Sequence, residues 1–214
     1  MPSKPPRKLP VLVERSVREV DTLRTDLANK FEMKVRLEVA QSKRAVTCRA
    51  GCAWCCYHPV MISILEGVTI YRWLQRKGKW TDALKKKLKE TSDRQYGTAF
   101  ETWLFSMIAC PLLDEKNRCA AYESRPLICR SYYATSDPYA CHPHRLGEGT
   151  EIVDRSDATD IFYQRQEDIL RKHKVQFISM PVGTALLYAE RICTGDLDLA
   201  SVDVEVLRKY AENG

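Results

Sequence analysis

Eight of the nine cysteines fall into two groups, and their thiols are the side chains best suited to chemistry. The first group packs four cysteines into nine residues: Cys48, Cys52, Cys55 and Cys56. The second group is spread more widely: Cys110, Cys119, Cys129 and Cys141. Cysteine thiolates are soft ligands that select zinc, iron–sulfur clusters or copper(I). The two groups therefore predict a metal-binding protein, with zinc or an iron–sulfur centre as the cofactor.

The spacing of the first group restricts how its thiols share a metal. In a helix Cys48 and Cys52 lie on one face, and Cys55 or Cys56 continues it. We expect the neighbours Cys55 and Cys56 to point in different directions. Either one of them ligates while the other packs, or two sites lie side by side. Eight thiols suffice for two four-thiolate sites, and four thiolates suit zinc, [4Fe–4S] and [2Fe–2S] equally.

Histidines beside the cysteines are further candidate ligands. His58, His142 and His144 could each replace one thiolate, and an ordinary position in a loop or turn is the alternative for each. His173 ends a predicted helix and is assigned no function. The remaining cysteine, Cys193, lies on an apolar helix face and is predicted to be part of the core.

Three charged residues are expected to support the cysteine groups. Arg125 and Arg130 flank the turn that carries Cys129, and they could donate hydrogen bonds to metal-bound sulfur or to a carboxylate. Glu66 stands three residues after Ser63, so it is predicted to complete a capping box at the start of a helix.

The elements that must position these residues are mostly helical. Apolar residues at steps of three and four from Val13 to Val39 predict a long amphipathic helix, which could pack on the body of the protein or form an oligomer. A short β-hairpin is expected where 112–113 and 119–122 flank a polar turn, and Pro126 is expected to open the turn with Cys129. The other expectations are helices over 64–77, 81–95, 158–173, 182–194 and 201–212, a buried apolar segment over 99–109, and a loop over 136–149.

Length and composition place these elements in one domain. A chain of 214 residues can bury a real core, and it divides into a basic arm (1–47), a cysteine core (48–141) and C-terminal helices (142–214). No signal peptide, transit peptide or apolar run of about 20 residues is found, so we expect a soluble, cytoplasmic protein that inserts in no membrane. Thiols stay reduced there, which favours metal ligation over disulfides.

Charge is concentrated at the start of the chain. The first fifty residues hold twelve Lys and Arg against six Asp and Glu, which accounts for the whole net charge of +6. This arm could contact an acidic protein or nucleic acid, although a solubilising tail is the simpler interpretation because Phe31 is the one aromatic residue among its charges.

The order of motifs over residues 48–141 resembles the YkgJ-type cysteine-cluster family, whose domain is described as zinc- or iron-chelating. The motifs are C-x3-C-x2-C-C, Cys-Pro-Leu-Leu-Asp at 110–114 and C-x2-Y-x2-R-P-x2-C-R-x-Y at 119–132. By this resemblance all eight clustered cysteines are the chelating residues, and Glu66, Asp114, Arg125 and Pro126 occupy the family's acidic and Arg-Pro positions. One branch resembles flagellin lysine N-methylases, which use S-adenosylmethionine.

Three functions follow as hypotheses. The first is a metal-binding domain whose cysteine groups converge on zinc or an iron–sulfur centre. The second is a methylase-like protein-modifying enzyme using S-adenosylmethionine, although no Gly-rich nucleotide loop accompanies the resemblance. The third is a zinc-stabilised module that binds nucleic acid or protein through the basic arm. We favour the first.

Overall fold

Helices form most of the residues that the computed structural model describes, 8–42 and 45–202, so the mainly α prediction is confirmed. The two strands, β1 (Met61–Ser63) and β2 (Ser179–Pro181), pair antiparallel with Ile62 opposite Met180. Each strand leads directly into a helix. The α-helices are α1 (Val11–Ser42), α2 (Ile64–Arg76), α3 (Asp82–Gln95), α4 (Phe100–Phe105), α5 (Leu127–Arg130), α6 (Ser156–His173) and α7 (Val182–Thr194).

The core is built around α2 and α7, which pack against each other. The strands that lead into them, β1 and β2, pair antiparallel. A capping box opens α2 as predicted: Ser63 Oγ accepts the N–H of Glu66, whose carboxylate accepts the N–H of Ser63. The two helices approach so closely that a Cβ on Gly67 would lie 2.9 Å from the carbonyl oxygen of Ala185. Gly195, with φ +79°, ends α7 in the left-handed conformation that glycine tolerates.

Helix α1 packs along the body, against α2, α5 and α6. Its buried apolar residues are Val13, Val17, Val20, Leu27, Ala28, Phe31 and Val35. The amphipathic stripe predicted from the sequence is therefore confirmed, and it is covered by the same chain. An oligomer through this helix stays a prediction, and the stripe no longer provides a reason for it.

Two expectations differ from the structure. The 99–109 segment is not buried throughout: α4 buries Trp103 but leaves Phe100 56% and Phe105 51% exposed, because a short surface helix presents only one face. The expected hairpin is a single antiparallel bridge, Leu113 to Cys119, with the Asp114 N–H donating to Arg118 O at 2.8 Å. The chain then enters a 3-10 turn rather than a strand.

The longer connections between the helices contain 3-10 turns. The 136–149 loop contains two 3-10 turns, Pro138–Cys141 and Pro143–Arg145. Ser201 lies in another 3-10 turn, Leu199–Ser201. Nearly all of the helix predicted over 201–212 falls outside the described residues, as does the start of the basic arm. Within residues 8–42 and 45–202, no helix combines the length and the apolarity needed to cross a membrane.

Candidate metal centre

The first cysteine group turns at Gly51, between Cys48 and Cys52, where a φ of +85° suits glycine, and it ends in a 3-10 turn over Trp54–Tyr57. Its start is attached to a distant segment. Thr47 donates its N–H to the carbonyl oxygen of Ala134 at 2.9 Å, and the N–H of Ala134 donates to Cys48 Sγ at 3.3 Å. Cys48 is therefore held beside a segment that follows Cys129 in the chain.

Two further hydrogen bonds join the first group to the second. The N–H of Cys110 donates to the carbonyl oxygen of Cys56 at 2.7 Å. The Nε2 atom of His58 lies 2.8 Å from the carbonyl oxygen of Cys141. The structure thus brings together residues that are far apart in sequence.

Asp114 and Glu66 organise the turns that carry the second group. Asp114 Oδ1 accepts the N–H groups of Lys116 and Arg118 at 2.9 and 2.8 Å, which closes the turn before Cys119. These bonds hold the pKa of Asp114 below its ordinary value. Glu66 Oε1 accepts the N–H of Leu127 at 3.2 Å, at the start of the helix that contains Cys129. One carboxylate therefore caps both α2 and α5.

Glu66 is buried, and burial raises the pKa of its carboxyl group. The nearby guanidinium of Arg24 lowers that pKa. Arg24 is itself 4% exposed, and it donates to the carbonyl oxygens of Ser124 and Arg125 at 3.0 and 2.6 Å. Sequence analysis missed this residue, although a charged residue four positions after Val20, on the apolar face of α1, was the available signal.

The thiols lie in surroundings that disfavour ionisation. Burial is the main cause that raises the pKa values of Cys48, Cys110, Cys119, Cys129 and Cys141. The Cys56 thiol is the largest influence that raises the pKa of Cys55, and burial is the next. The divergence of the two side chains stays a prediction.

Cys55 lies among thiols of both groups. A charge on Cys55 is one of the influences that raise the pKa values of Cys48 and Cys141. It does the same for Cys119 and Cys129. Because the Coulomb interaction falls with distance, these influences indicate that Cys55 lies near thiols of both groups. We refer to Cys55 as the junction of the two groups.

Arg125 is the cation that affects the pKa values of the clustered cysteines most widely. Its guanidinium lowers the pKa values of Cys48, Cys55, Cys119 and Cys129. The guanidinium lies over the ring of Tyr122 at 3.9 Å and donates from Nε to the carbonyl oxygen of Tyr122 at 3.1 Å. Arg130 takes the other expected role, since it pairs with the carboxylate of Glu32 at 3.0 Å.

The histidines occupy different positions around the centre. His58 is half-buried, and burial lowers the pKa of its ring, which favours the neutral form. When Nε2–H donates to the carbonyl oxygen of Cys141, the Nδ1 atom keeps its lone pair. His142 Nδ1 accepts the N–H of His144 at 3.2 Å, and its ring packs 4.7 Å from Trp54. Of the three, His58 has the closest link to a candidate ligand.

Cys193 and His173 lie outside the two cysteine groups. Cys193 is fully buried in the core, as predicted. His173, at the end of α6, lies 2.8 Å from the carboxylate of Glu19 on α1.

The donor set fits a thiophilic metal in its chemistry. All nine cysteines are free thiols, and the eight clustered ones form one neighbourhood with a single arginine that favours their ionised form. Among the described residues, no three His, Cys, Asp or Glu side chains are already arranged to hold a metal ion. The residue types and their proximity therefore match a thiolate centre, while the coordination geometry is not preformed.

A family model matches residues 47–174, which is more than half of the chain. The family is CxxCxxCC, with the description "Putative zinc- or iron-chelating domain". The pattern in its name has two residues between the first and second cysteines, whereas this chain has three between Cys48 and Cys52. No curated protein and no solved structure matches the chain. The family match supports a metal-binding role.

Proposed function

The chain belongs to the CxxCxxCC family of zinc- or iron-chelating domains, and on that premise we propose that its two cysteine groups form one composite metal centre. The observation that carries the proposal is the position of Cys55 among thiols of both groups. The cofactor is zinc or an iron–sulfur cluster. The proposed ligands are Cys48, Cys52, Cys55, Cys56, Cys110, Cys119, Cys129 and Cys141.

We further propose that the ligands divide into two adjacent sets. Charges on Cys48 and Cys52 raise the pKa of Cys141. Charges on Cys119 and Cys129 raise the pKa of Cys110. The adjacent pair, Cys55 and Cys56, would lie between these trios. One thiol from the pair would complete each set of four, the number that suits zinc or an iron–sulfur cluster. This division also gives both adjacent cysteines a role.

Several residues of this chain would prepare the centre without binding the metal. Asp114 and Glu66 fix the turns that present Cys119 and Cys129. Arg125 favours the thiolate forms that a metal requires, because metal ligation by cysteine releases the thiol proton. When bound, zinc would stabilise the fold, whereas an iron–sulfur cluster would supply electron transfer.

The proposal is tested by the zinc, iron and acid-labile sulfide content of protein purified without oxygen. Zinc in a colourless protein identifies a zinc centre, and iron with matching sulfide and visible absorption identifies an iron–sulfur centre. Protein that carries neither metal contradicts the proposal. Cys48→Ser and Cys129→Ser test the division of the ligands into two sets. Each variant should lose about half of the metal. Loss of all metal in both variants would favour one shared site.

The other two hypotheses stay predictions. Failure to bind S-adenosylmethionine in calorimetry would remove the basis for a methylase-like enzyme. Contact of nucleic acid or an acidic protein through the basic arm requires salt-dependent binding that is lost when residues 1–47 are deleted.

A further inference from the structure

A strongly basic stretch covers residues 72–89, outside the basic arm. It holds eight Lys and Arg against a single Asp, and it comprises the end of α2, the turn that follows and the first half of α3. Two of its cations pair with other parts of the chain, Arg72 with Glu14 at 2.8 Å and Lys85 with Glu190 at 2.7 Å. Most of the positive charge of the stretch is therefore left for the surface.

Two lysines of this stretch lie against the segment over residues 111–120. Lys79 donates from Nζ to the carbonyl oxygen of Ala120 at 2.9 Å. Lys87 donates in the same way to the carbonyl oxygen of Leu113. These contacts join the basic stretch to a segment that is distant in sequence, so the two form one continuous surface.

An open groove of about 430 Å³ lies between α3 and the segment over 111–120. Its charged lining residues are Lys87, Asp114, Glu115, Lys116 and Arg118. The carboxylate of Asp114 already pairs with the guanidinium of Arg118 at 3.0 Å. Lys79 adds a further cation at the Ala120 end of the groove. Cations thus outnumber carboxylates here, and the groove favours an anionic ligand.

An exposed aromatic ring follows the groove. Tyr122 is two residues after Ala120, so at most about 7 Å separates their Cα atoms. Tyr122 is 62% exposed, although the guanidinium of Arg125 lies 3.9 Å from the centre of its ring. The carboxylate of the next residue, Glu123, pairs with Lys77 at 3.7 Å. The ring therefore has a cation on one face and remains accessible to solvent.

We propose that this surface binds single-stranded nucleic acid, with a base stacked on Tyr122 and phosphates along the groove beside Lys79, Lys87 and Lys116. A positive groove next to an aromatic ring is the combination that binds single strands, and an arginine at the ring adds to the attraction. An acidic protein would use the cations but leave the ring without a partner. The proposal requires no particular metal, and its surface differs from the basic arm.

The test measures the fluorescence anisotropy of a labelled oligouridylate of about 12 nucleotides, with the full-length protein purified without oxygen. We expect saturable binding that weakens roughly 50-fold between about 50 and 200 mM salt, as for about four phosphate contacts. Tyr122→Ala should weaken binding about tenfold, and Tyr122→Phe, which keeps the ring, should bind like wild type. Lys116→Gln should weaken binding and reduce its salt dependence, because it removes one phosphate contact.

Lys172→Gln is the matched control, because Lys172 lies on α6 and pairs with Glu19 at 3.2 Å. It should leave the affinity unchanged. Absence of saturable binding, or equal affinity of wild type and Tyr122→Ala, would overturn the proposal. Oligoglutamate of the same length that binds as tightly as the RNA would assign the surface to an acidic protein instead. Equal losses in Lys116→Gln and Lys172→Gln would mean that net charge, rather than this surface, attracts the RNA.

Discussion

The backbone N–H of Cys110 donates to the carbonyl oxygen of Cys56 at 2.7 Å, so the two cysteine groups meet through the main chain. Because the backbone makes this hydrogen bond, the contact between the two groups does not depend on the rotamers of the cysteine side chains. It places the start of the second group directly beside the neighbours Cys55 and Cys56. The proposed centre is therefore assembled only when the chain between residues 56 and 110 has folded around the α2–α7 core.

Glu66 should be required as a hydrogen-bond acceptor rather than as a charge. Glu66→Leu leaves the N–H of Leu127 without its partner, which should cost about 1–3 kcal/mol of unfolding free energy and lower the metal content by misplacing Cys129. Glu66→Gln keeps one acceptor oxygen for Leu127 but places an amide NH2 where the second oxygen accepts from Ser63, so it should lose less stability than Glu66→Leu and keep most of the metal. Urea unfolding and metal analysis measure the two effects. Equal losses of metal in both variants would show that a single acceptor oxygen is not enough.

Arg125 should strengthen metal retention through its charge. Arg125→Gln removes the cation that lowers the pKa values of four cysteines, so their thiolates become less favourable. We expect roughly a 10- to 100-fold loss of metal affinity, as for other residues that support ligands. Competition with a chelator measures it.

The control for Arg125 is Arg130→Gln, which breaks an ion pair with Glu32. It should change metal affinity much less. If both variants lose metal equally, net charge rather than the position of Arg125 determines retention.

Gly67 should be required where α2 meets α7. A Cβ there would lie 2.9 Å from the carbonyl oxygen of Ala185 and 3.2 Å from its Cβ. Gly67→Ala should lower the free energy of unfolding by about 1–3 kcal/mol, despite the better helix propensity of alanine. Lys86→Ala, at an exposed position on α3, should change it by less than about 0.5 kcal/mol. A more stable Gly67→Ala variant would mean that the helices can separate without cost.

The ion pair between Glu14 and Arg72, at 2.8 Å, should contribute a pH-dependent increment of stability. The hydrogen bond that Glu14 accepts from Arg72 lowers the pKa of Glu14 from its ordinary value of 4.5. A carboxyl group whose pKa is lower in the folded state stabilises the fold at pH values above its unfolded-state pKa. That stabilisation is lost as the pH falls through the folded-state pKa. Glu14→Gln should thus be less stable by up to about 1 kcal/mol at neutral pH.

The difference between wild type and Glu14→Gln should disappear as the pH falls below 4.5. Thermal melts across this range measure it. Glu90→Gln is the control, since its partner Lys86 lies at 3.8 Å on an exposed helix face and should contribute little at any pH. A difference between wild type and Glu14→Gln that persists at low pH would assign the effect to packing.

Local signals in the sequence predicted much of this fold. The Ser63–Glu66 capping box, the Thr81 cap and Gly195 set helix ends through contacts between near neighbours. The junction at Cys55 could not be predicted, because it depends on where residues 110–141 lie in space. The second role of Glu66 is also long-range, since its acceptor reaches Leu127, 61 positions away.

The wrong expectation for residues 99–109 has the same origin. Apolar composition suggested that this segment was buried, but burial depends on which face α4 presents to the core. Sulfur positions are equally hard to predict, because periodicity describes directions from the backbone, whereas sulfur positions also depend on side-chain rotamers.

The most direct test of the composite centre compares the metal content of wild type, Cys55→Ser and Cys193→Ala, purified without oxygen. Cys193 is the matched control, because it is a buried thiol in the apolar core. We predict zinc or iron in wild type, the same amount per chain in Cys193→Ala, and a loss of at least half in Cys55→Ser. Wild-type metal content in Cys55→Ser would contradict the account.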